Sequence, residues 1–219
     1  MAVEWDDIPD EQPEQTIIDV EQGTPEWLAL RAGKITGSKV ADMMAEGAGI
    51  TRDKYRVQLA IERMTGTPVQ SGYKSAAMQK GNDDEPLARD YYSFLNDVDV
   101  EQIGFVLHPR LHNAGASPDG LIGNDGLIEI KCPNINTHIG YLLSKKIPGN
   151  YQHQINWQLA CTGRQWCDFM SYRHDLPVHL RALIIRVQRD EKKIAELEQQ
   201  AALFDSEVAE LINQLEHLQ

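Results

Sequence analysis

The spacing of Asp119 from Glu129, Ile130 and Lys131 constrains this chain more than any other feature of its sequence. Side chains alternate between the faces of a strand, so Glu129 and Lys131 share one face. Ile128 and Ile130 then point the other way, into a core. Charged side chains in a segment otherwise rich in β-forming residues need a compensating partner. A divalent metal ion shared by Asp119 and Glu129 would be such a partner.

The residues between the two carboxylates set the strand register. Gly123 to Gly126 reads Gly-Asn-Asp-Gly, which is a strong hairpin signal. A two-residue loop would put Asp119 on the face opposite Glu129, whereas a three-residue loop over 124–126 pairs 121 with 129 and 119 with 131. We predict the three-residue loop, with Gly126 in the left-handed region and a bulge, so that both carboxylates and the lysine share a face.

A simpler interpretation competes with the metal site. A lone Glu-x-Lys is common on exposed strands, where both charges are merely solvated. The Pro-Asp-Gly run ten residues upstream of Glu129, with apolar residues between, favours the metal site. The pattern therefore predicts a carboxylate–lysine cluster able to bind a divalent cation and to act on phosphate.

Length and composition exclude several classes of protein. A chain of 219 residues is enough for one substantial core. No apolar run approaches a membrane span, and the N-terminus is acidic and lacks the pattern of a secretory signal. The three cysteines, Cys132, Cys161 and Cys167, lack metal-ligand spacing and fit reduced thiols in a cytoplasm.

The net charge of −12 does not exclude a nucleic-acid partner, because a partner responds to local fields. Acidic residues concentrate at both ends, while cations such as Arg31, Lys34, Arg52 and Lys131 lie in the middle. We predict a flexible acidic arm over residues 1–22 and a single domain over 23–219. An acidic exterior with a basic groove is compatible with DNA.

The hydrophobic pattern predicts a mixed α/β (α+β) fold with a central sheet flanked by helices. Thr24 and Pro25 predict a helix start, with Thr24 as N-cap. Further helices are expected at 36–44, 52–64, 74–95, 137–144, 151–162 and 190–218. A four-strand meander is expected at 103–107, 112–116, 119–122 and 127–131, followed by strands at 166–172 and 178–187.

The last helix has apolar residues three and four apart, which forms a heptad seam. The seam comprises Ile194, Leu197, Ala201, Phe204, Val208, Leu211, Leu215 and Leu218. Packing of this long C-terminal helix on its own domain is favoured over a coiled coil or a partner contact.

Other polar residues allow two interpretations each. Arg31, Lys34 and Ser38 surround a predicted helix start, where they would either bind an anion or form a cap with surface cations. Glu85 would be either a third acidic metal ligand or part of an exposed acidic face. Gln154 and Gln158 share a helix face and would either orient a phosphate or lie on the surface.

Taken together, these runs resemble a known signature. Ser-Pro-Asp-Gly followed by Glu-Ile-Lys-Cys-Pro resembles the PD-(D/E)xK nuclease motif. The runs at 23–27 and 30–38, the acidic run at 81–85 and the amide helix at Gln154 stand in the order found in lambda-type phage alkaline exonucleases of the viral recombinase family. The resemblance covers about residues 23–187 and implies a restriction-endonuclease-like core.

The resemblance also implies roles for individual residues. Asp119, Glu129, the backbone carbonyl of Ile130 and Glu85 would bind Mg²⁺, with Mn²⁺ able to substitute and two ions per active site. Lys131 would orient and activate the attacking water. The phosphate would be held by Arg31, Ser38, Ser117 and Gln154, with Arg52 a further candidate whose spacing departs from the family pattern.

The implied activity is a 5′→3′ exonuclease that digests one strand of linear duplex DNA from a 5′-phosphorylated end. Its 3′ overhang would pass to a single-strand annealing protein, in the cytoplasm of a bacterial host. The family also implies a homotrimeric ring. A lysine beside two cations should have a lowered pKa, so we expect an alkaline optimum. A restriction-type endonuclease and a non-catalytic DNA-end-binding module are the alternatives.

Overall fold

The computed structural model describes residues 16–45, 50–69 and 76–218, with only the backbone described over 76–82. Its helices are α1 Pro25–Arg31, α2 Val40–Met43, α3 Ile50–Thr65, α4 Ala76–Asn96, α5 Ile135–Ser144, α6 Gly149–Thr162 and α7 Glu191–Glu216. Its strands are β1 Ile17–Ile18, β2 Ile35–Thr36, β3 Val100–Glu101, β4 Phe105–Leu107, β5 Ala114–Ala116, β6 Gly120–Ile122, β7 Gly126–Lys131, β8 Trp166–Tyr172 and β9 Ala182–Gln188. The predicted α/β class with flanking helices and a long last helix is confirmed.

The strands form two mixed sheets. One has the order β1-β4-β5-β2 and the other β3-β6-β7-β8-β9. The predicted meander is therefore wrong, because β4 and β5 belong to the first sheet and β6 and β7 to the second. In the second sheet β7 and β8 are parallel, and α5 and α6 form the crossover between them.

Local sequence explains where several helices begin. The Thr24 hydroxyl accepts a hydrogen bond from the Trp27 amide, and Pro25 fills the first turn of α1. Asn134 caps α5 through its side chain, and the Asp190 carboxylate accepts two backbone N–H groups at the start of α7. The start predicted for the fourth helix, Lys74, lies outside the described residues.

Residues 16–22 do not match the predicted flexible arm. Ile17 and Ile18 pair antiparallel with Val106 and Phe105, so this segment is an edge of the first sheet. The Gln22 side chain donates to the carbonyl of Pro118 at 2.9 Å. The predicted boundary at residue 22 is wrong for this segment, and residues 1–15 lie outside the described residues.

The hairpin between β6 and β7 has the predicted loop length with a different register. Gly120 pairs with Ile128 and Ile122 with Gly126, so the loop is 123–125 instead of 124–126. The left-handed glycine is Gly123, at φ +52°, and not Gly126. The predicted register and bulge are wrong. The strand pairing differs from the prediction by an even number of residues, so Asp119 and Glu129 still share a face, as predicted.

Strand β7 is covered on both faces. Ile128 and Ile130 pack with Tyr92 of α4 in one apolar cluster. Leu127, on the other face, belongs to the larger cluster shared with α2, α3, α6 and α7. Glu129 lies on that second face and is fully buried.

Helix α7 packs on its own domain, as favoured from the sequence. The first five seam residues, from Ile194 to Val208, are buried in the main cluster, and Leu211 packs against it. In the described ranges, no helix has the length and apolar character needed to cross a lipid bilayer.

Candidate active site

Glu129 is held by one partner on each carboxylate oxygen. The Gln158 amide on α6 donates to Oε2 at 2.6 Å. The Lys131 ammonium forms an ion pair with Oε1, as expected for residues on one strand face. Apart from this ion pair, Oε1 accepts no hydrogen bond from any described residue. A buried carboxylate oxygen with spare acceptor capacity is suited to a cation.

Asp119 lies just before β6 and faces the middle of β7. Its Oδ2 accepts a hydrogen bond of 2.6 Å from the backbone N–H of Ile130. Gln22 fixes the preceding residue, Pro118, through its carbonyl. The hairpin and these two bonds place Asp119 beside Glu129.

Glu85 reaches the same region from α4. Its carboxylate accepts from Arg89, one helical turn later, at 2.7 Å, and the Arg89 Nε also donates to the Asp119 carbonyl at 3.2 Å. Arg89 is buried. This arginine, which carried no role in the sequence interpretation, connects the third acid to the first.

The three carboxylates perturb one another. Burial raises the pKa of Asp119 well above its usual range, and the Glu129 and Glu85 charges raise it further against Lys131. Burial is also the main cause of the raised pKa of Glu85. Three acids face two cations, Lys131 and Arg89, so one negative charge is in excess when all three are ionised, and a bound cation would relieve it.

The pKa of Lys131 differs from the expectation. Burial alone would lower it, but the charges of Glu129 and Asp119 outweigh burial and raise it. The expectation of a lowered pKa assumed two neighbouring cations. With the carboxylates alone, the lysine is held as an ammonium.

The donor set fits magnesium. Mg²⁺ takes oxygen ligands and keeps several waters, so one or two carboxylates suffice. Within the described part of the chain, no three His, Cys, Asp or Glu side chains converge to hold a metal by themselves. The residues that would hold it are Asp119 and Glu129, with the Ile130 carbonyl, whereas Glu85 is engaged by Arg89.

The cysteines are not alternative ligands or nucleophiles. All three are free, and burial raises the pKa of each thiol, that of Cys132 to about 12. A protonated thiol is a poor ligand and a poor nucleophile. The chemistry at this site therefore depends on oxygen and amine groups.

A second group of side chains lies close in sequence and space to Asp119 and has anion-binding character; Trp27, Arg31, Ser38 and Ser117 are together called the anion pocket. The Trp27 indole N–H donates to the Ser117 hydroxyl at 2.9 Å, and the Arg31 guanidinium lies 3.9 Å from the Trp27 ring centre. Arg31 also donates to the Ser38 hydroxyl at 3.3 Å. The structure thus brings together three of the five predicted phosphate-binding residues.

Arg31 has spare donors. Burial lowers the pKa of Arg31 to about 10, and no carboxylate of the described residues lies within ion-pair distance of it. Its loop is fixed by α3, because Glu62 accepts the Gly33 N–H at 2.8 Å and Arg63 donates to the Gly33 carbonyl. A half-buried guanidinium with no carboxylate of the described residues beside it is suited to an incoming anion.

Helix α6 connects the two groups. A Cβ added at Gly37, next to Ser38, would lie 3.7 Å from the Cγ atoms of both Gln154 and Gln158. Gln154 therefore lies close to the residue that precedes Ser38, and its contact with a phosphate stays a prediction. Gln158, for which the sequence left two interpretations open, is the amide that contacts the catalytic carboxylate candidate.

Arg52 does not join the pocket. It makes a bidentate ion pair with Glu207 of α7, donates to the Met43 carbonyl and lies 4.8 Å from the Phe204 ring centre. These contacts join α3 to α7. The proposed phosphate-binding role of Arg52 is withdrawn, because its donors are already used.

Sequence reasoning missed Gln22, Trp27 and Arg89. Trp27 lies in the run at 23–27 and falls one turn before Arg31 on α1, a spacing that places the two side chains together. Arg89 follows Glu85 by the same interval. Gln22 carried no such signal, because its partners are 81 and 96 residues away.

Comparisons with known proteins identify the family and the fold. Residues 26–165 match the YqaJ-like viral recombinase domain family. The crystal structure of LHK-Exo, an alkaline exonuclease from Laribacter hongkongensis, has a TM-score of 0.83 and 44% identity, covering 88% of this chain and 96% of that one; a second structure of it contains dAMP.

Two more distant proteins are similar. A phage-related exonuclease from Haemophilus somnus 129PT has a TM-score of 0.67 and 14% identity over 83% of this chain and 96% of that one, which shows a shared fold. The uncharacterized protein R354 of Acanthamoeba polyphaga mimivirus is 28% identical over 170 residues, 71% of this chain. That match spans only 30% of the mimivirus protein. The family resemblance predicted from the sequence is confirmed: this chain belongs to the YqaJ-like viral recombinase family.

Proposed function

We propose that this protein is a Mg²⁺-dependent exonuclease that digests one strand of linear duplex DNA in the 5′→3′ direction from a 5′-phosphorylated end. The observation that carries the proposal is the adjacency of two groups. Gln158 contacts Glu129 of the carboxylate–lysine cluster and lies beside Gly37, next to the anion pocket, where Arg31 has no ion-pair partner among the described residues. The first group suits hydrolysis and the second suits a phosphate.

The chain's own groups have separable tasks in this proposal. A bound Mg²⁺, held by Asp119, Glu129 and the Ile130 carbonyl, supplies charge stabilisation for the attacking and leaving oxygens. Lys131 orients the attacking water, since its ammonium is fixed against Glu129. Arg31, Ser38 and Ser117 hold the phosphate, with Gln154 beside them.

The relatives support the same reaction. LHK-Exo is described as an alkaline exonuclease and was crystallised with dAMP, a nucleoside monophosphate. Release of mononucleotides is the outcome of exonuclease action. At 44% identity over 88% of this chain, the likeness supports a nuclease acting on DNA. Direction, metal and end chemistry are our proposal.

We also propose the remaining partners. No run in the sequence is typical of base reading in a DNA groove, so end recognition would proceed through phosphates. The 3′ overhang would be passed to a single-strand annealing protein, and the active form would be a homotrimeric ring. The setting would be the cytoplasm of a bacterium carrying the phage or prophage gene.

The test uses linear duplex DNA with free 5′-phosphates, in which one strand carries different fluorophores on the bases of its first and last nucleotides. Wild type and Lys131→Ala are incubated with Mg²⁺ and with closed circular DNA as a second substrate. We expect early release of the 5′ label, as mononucleotide, from linear DNA only. Lys131→Ala should abolish release while DNA binding persists.

A matched control is Lys192→Ala, which removes an exposed lysine from the start of α7. It should leave the rate unchanged. Cleavage of the circle would favour an endonuclease instead, and bound but uncut DNA of both kinds would favour a DNA-end-binding module. Early release of the 3′ label would overturn the proposed direction.

A further inference from the structure

Trp27 contacts both sides of the anion pocket. Its indole N–H donates to Ser117, on the segment that leads into Asp119. Its ring face packs under Arg31, one turn later on the same helix. A single side chain of α1 therefore sets the position of a hydroxyl and of a guanidinium that belong to different parts of the chain.

The hydrogen bond from Trp27 also decides what the Ser117 hydroxyl can do. An indole N–H is only a donor, so Ser117 Oγ must be the acceptor. The hydroxyl keeps its own proton, for which no acceptor exists among the described residues. Ser38 has the same arrangement, because Arg31 donates to its oxygen.

Each hydroxyl therefore keeps a proton that it can donate to a phosphate oxygen, as can the unused N–H groups of Arg31. A terminal phosphomonoester carries up to two negative charges and three acceptor oxygens, which match a pocket of donors. A 5′-hydroxyl has one oxygen and its own proton, and it satisfies at most one of these donors. The arrangement discriminates between the two kinds of DNA end.

We propose that Trp27 is a specificity-determining positioning residue, which fixes Ser117 as a donor and Arg31 in place so that the pocket selects 5′-phosphorylated over 5′-hydroxyl ends. The proposal rests on the proposed exonuclease function. Trp27 does not touch the reacting atoms. It acts through the two groups that it orients.

The test is binding without hydrolysis. Affinities for one duplex with 5′-phosphate or 5′-hydroxyl ends are measured in EDTA for wild type, Trp27→Phe, Ser117→Ala and the double variant. Phe keeps a ring under Arg31 but has no N–H. We expect wild type to prefer the phosphate about tenfold or more, and Trp27→Phe to lose most of that ratio.

The double variant distinguishes a loss of Ser117 orientation from general damage to the structure. If Trp27 acts through Ser117, Trp27→Phe should change the ratio little once Ser117 is alanine. Trp166→Phe is the matched control, because Trp166 also lies under an arginine, Arg186, at 3.6 Å, but outside the pocket. It should keep the wild-type ratio.

Three outcomes would overturn the inference. Trp27→Phe could keep the wild-type ratio, or it could weaken both ends equally, as a purely structural role would. Equal affinity of the wild-type protein for 5′-phosphate and 5′-hydroxyl ends would show that it does not select between them. This third outcome needs no variant. Nucleotide release by wild type tests the exonuclease separately, so failure of the function and failure of the Trp27 role are distinguishable.

Discussion

The side-chain amide of Gln158 donates a hydrogen bond of 2.6 Å to Oε2 of Glu129, and both residues are buried. This bond leaves Oε1, on the side of Lys131, as the carboxylate oxygen with spare acceptor capacity. The amide therefore determines which oxygen of Glu129 would be available to a bound cation. Because the bond joins α6 to β7, it also links the carboxylates to the helix that lines the anion pocket.

Replacing Gln158 should weaken metal use more than it weakens DNA binding. In Gln158→Leu the Glu129 carboxylate loses the partner that orients it. Loss of such outer contacts typically costs about 10–100-fold in metal affinity or activity. We expect a lower rate and a higher Mg²⁺ concentration at half-maximal activity, with DNA binding in EDTA unchanged.

The control for this prediction is Gln165→Leu, which changes an exposed glutamine just beyond α6. It should match wild type in both rate and Mg²⁺ dependence. An unchanged Mg²⁺ dependence in a folded Gln158→Leu protein would contradict the positioning role.

The hairpin shows how far local sequence can set this site. The Gly-Asn-Asp-Gly run correctly indicated a three-residue loop but not which three residues. Arg164 donates to the carbonyls of Ile122, Gly123 and Gly126, and the Trp166 ring fills the space where a Gly126 side chain would lie. These contacts come from 38 to 42 residues away, so a local pattern could not reveal them.

Burial and long-range contacts explain the other differences between the sequence-based predictions and the structure. Periodicity placed Gln154 and Gln158 on one helix face but could not show that Gln158 is buried against Glu129. The family resemblance made Arg52 a candidate phosphate ligand although its spacing departs from the family pattern, and its bidentate partner, Glu207, is 155 residues away. The division into two sheets likewise depends on long-range pairing, of β1 with β4 and of β2 with β5. Strands β1 and β2 are each only two residues long.

Gly33 should be the more sensitive of two left-handed glycines. Gly33 has φ +72° and Gly66 has φ +66°. A Cβ at Gly33 would lie 2.7 Å from Arg63 Cγ, whereas at Gly66 nothing lies within 4 Å. Gly66→Ala should cost about 1 kcal/mol of unfolding free energy from backbone strain, and Gly33→Ala about 2–4 kcal/mol, because the clash adds to it.

Denaturant unfolding of both variants measures this difference. Gly33→Ala should also weaken binding of 5′-phosphorylated ends, because Gly33 lies in the loop after Arg31. Equal destabilisation by the two substitutions would show that Arg63 moves away from the added Cβ with no loss of unfolding free energy.

Glu198 should make stability depend on acid pH. Burial tends to raise the pKa of Glu198, but hydrogen bonds from His108 and Arg110 outweigh it and lower the pKa below its usual 4.5. A depressed folded-state pKa stabilises the protein above pH 4.5, and this contribution is lost as pH falls through the lowered pKa. His108 Nδ1 accepts two backbone N–H groups, and its Nε2 lies 3.2 Å from Oε1 of Glu198.

Glu198→Gln tests this dependence because glutamine does not titrate. At pH 7 we expect it to lower the unfolding free energy by about 1–3 kcal/mol. The gap between wild type and variant should be largest above pH 4.5 and should shrink as the pH is lowered further. A gap that stays constant from pH 7 to pH 3 would contradict the assigned pKa direction.

Arg31 and Arg52 should respond in opposite ways to alanine. Arg31 is half-buried and makes one hydrogen bond, of 3.3 Å, among the described residues, so it contributes little to folding and has donors to spare for a phosphate. Arg52 is fully engaged by Glu207 and the Met43 carbonyl. Arg31→Ala should weaken binding of 5′-phosphorylated ends by about 10–100-fold, with unfolding free energy unchanged or raised.

Arg52→Ala should instead lower the unfolding free energy by about 1 kcal/mol, because it removes a bidentate pair and a ring contact. Its preference for 5′-phosphorylated ends should equal that of wild type. Both variants are measured by denaturant unfolding and by end binding in EDTA. If Arg52→Ala lost the end preference while remaining folded, Glu207 would have to release this arginine for the substrate, and the position of Arg52 outside the pocket would describe only the DNA-free protein.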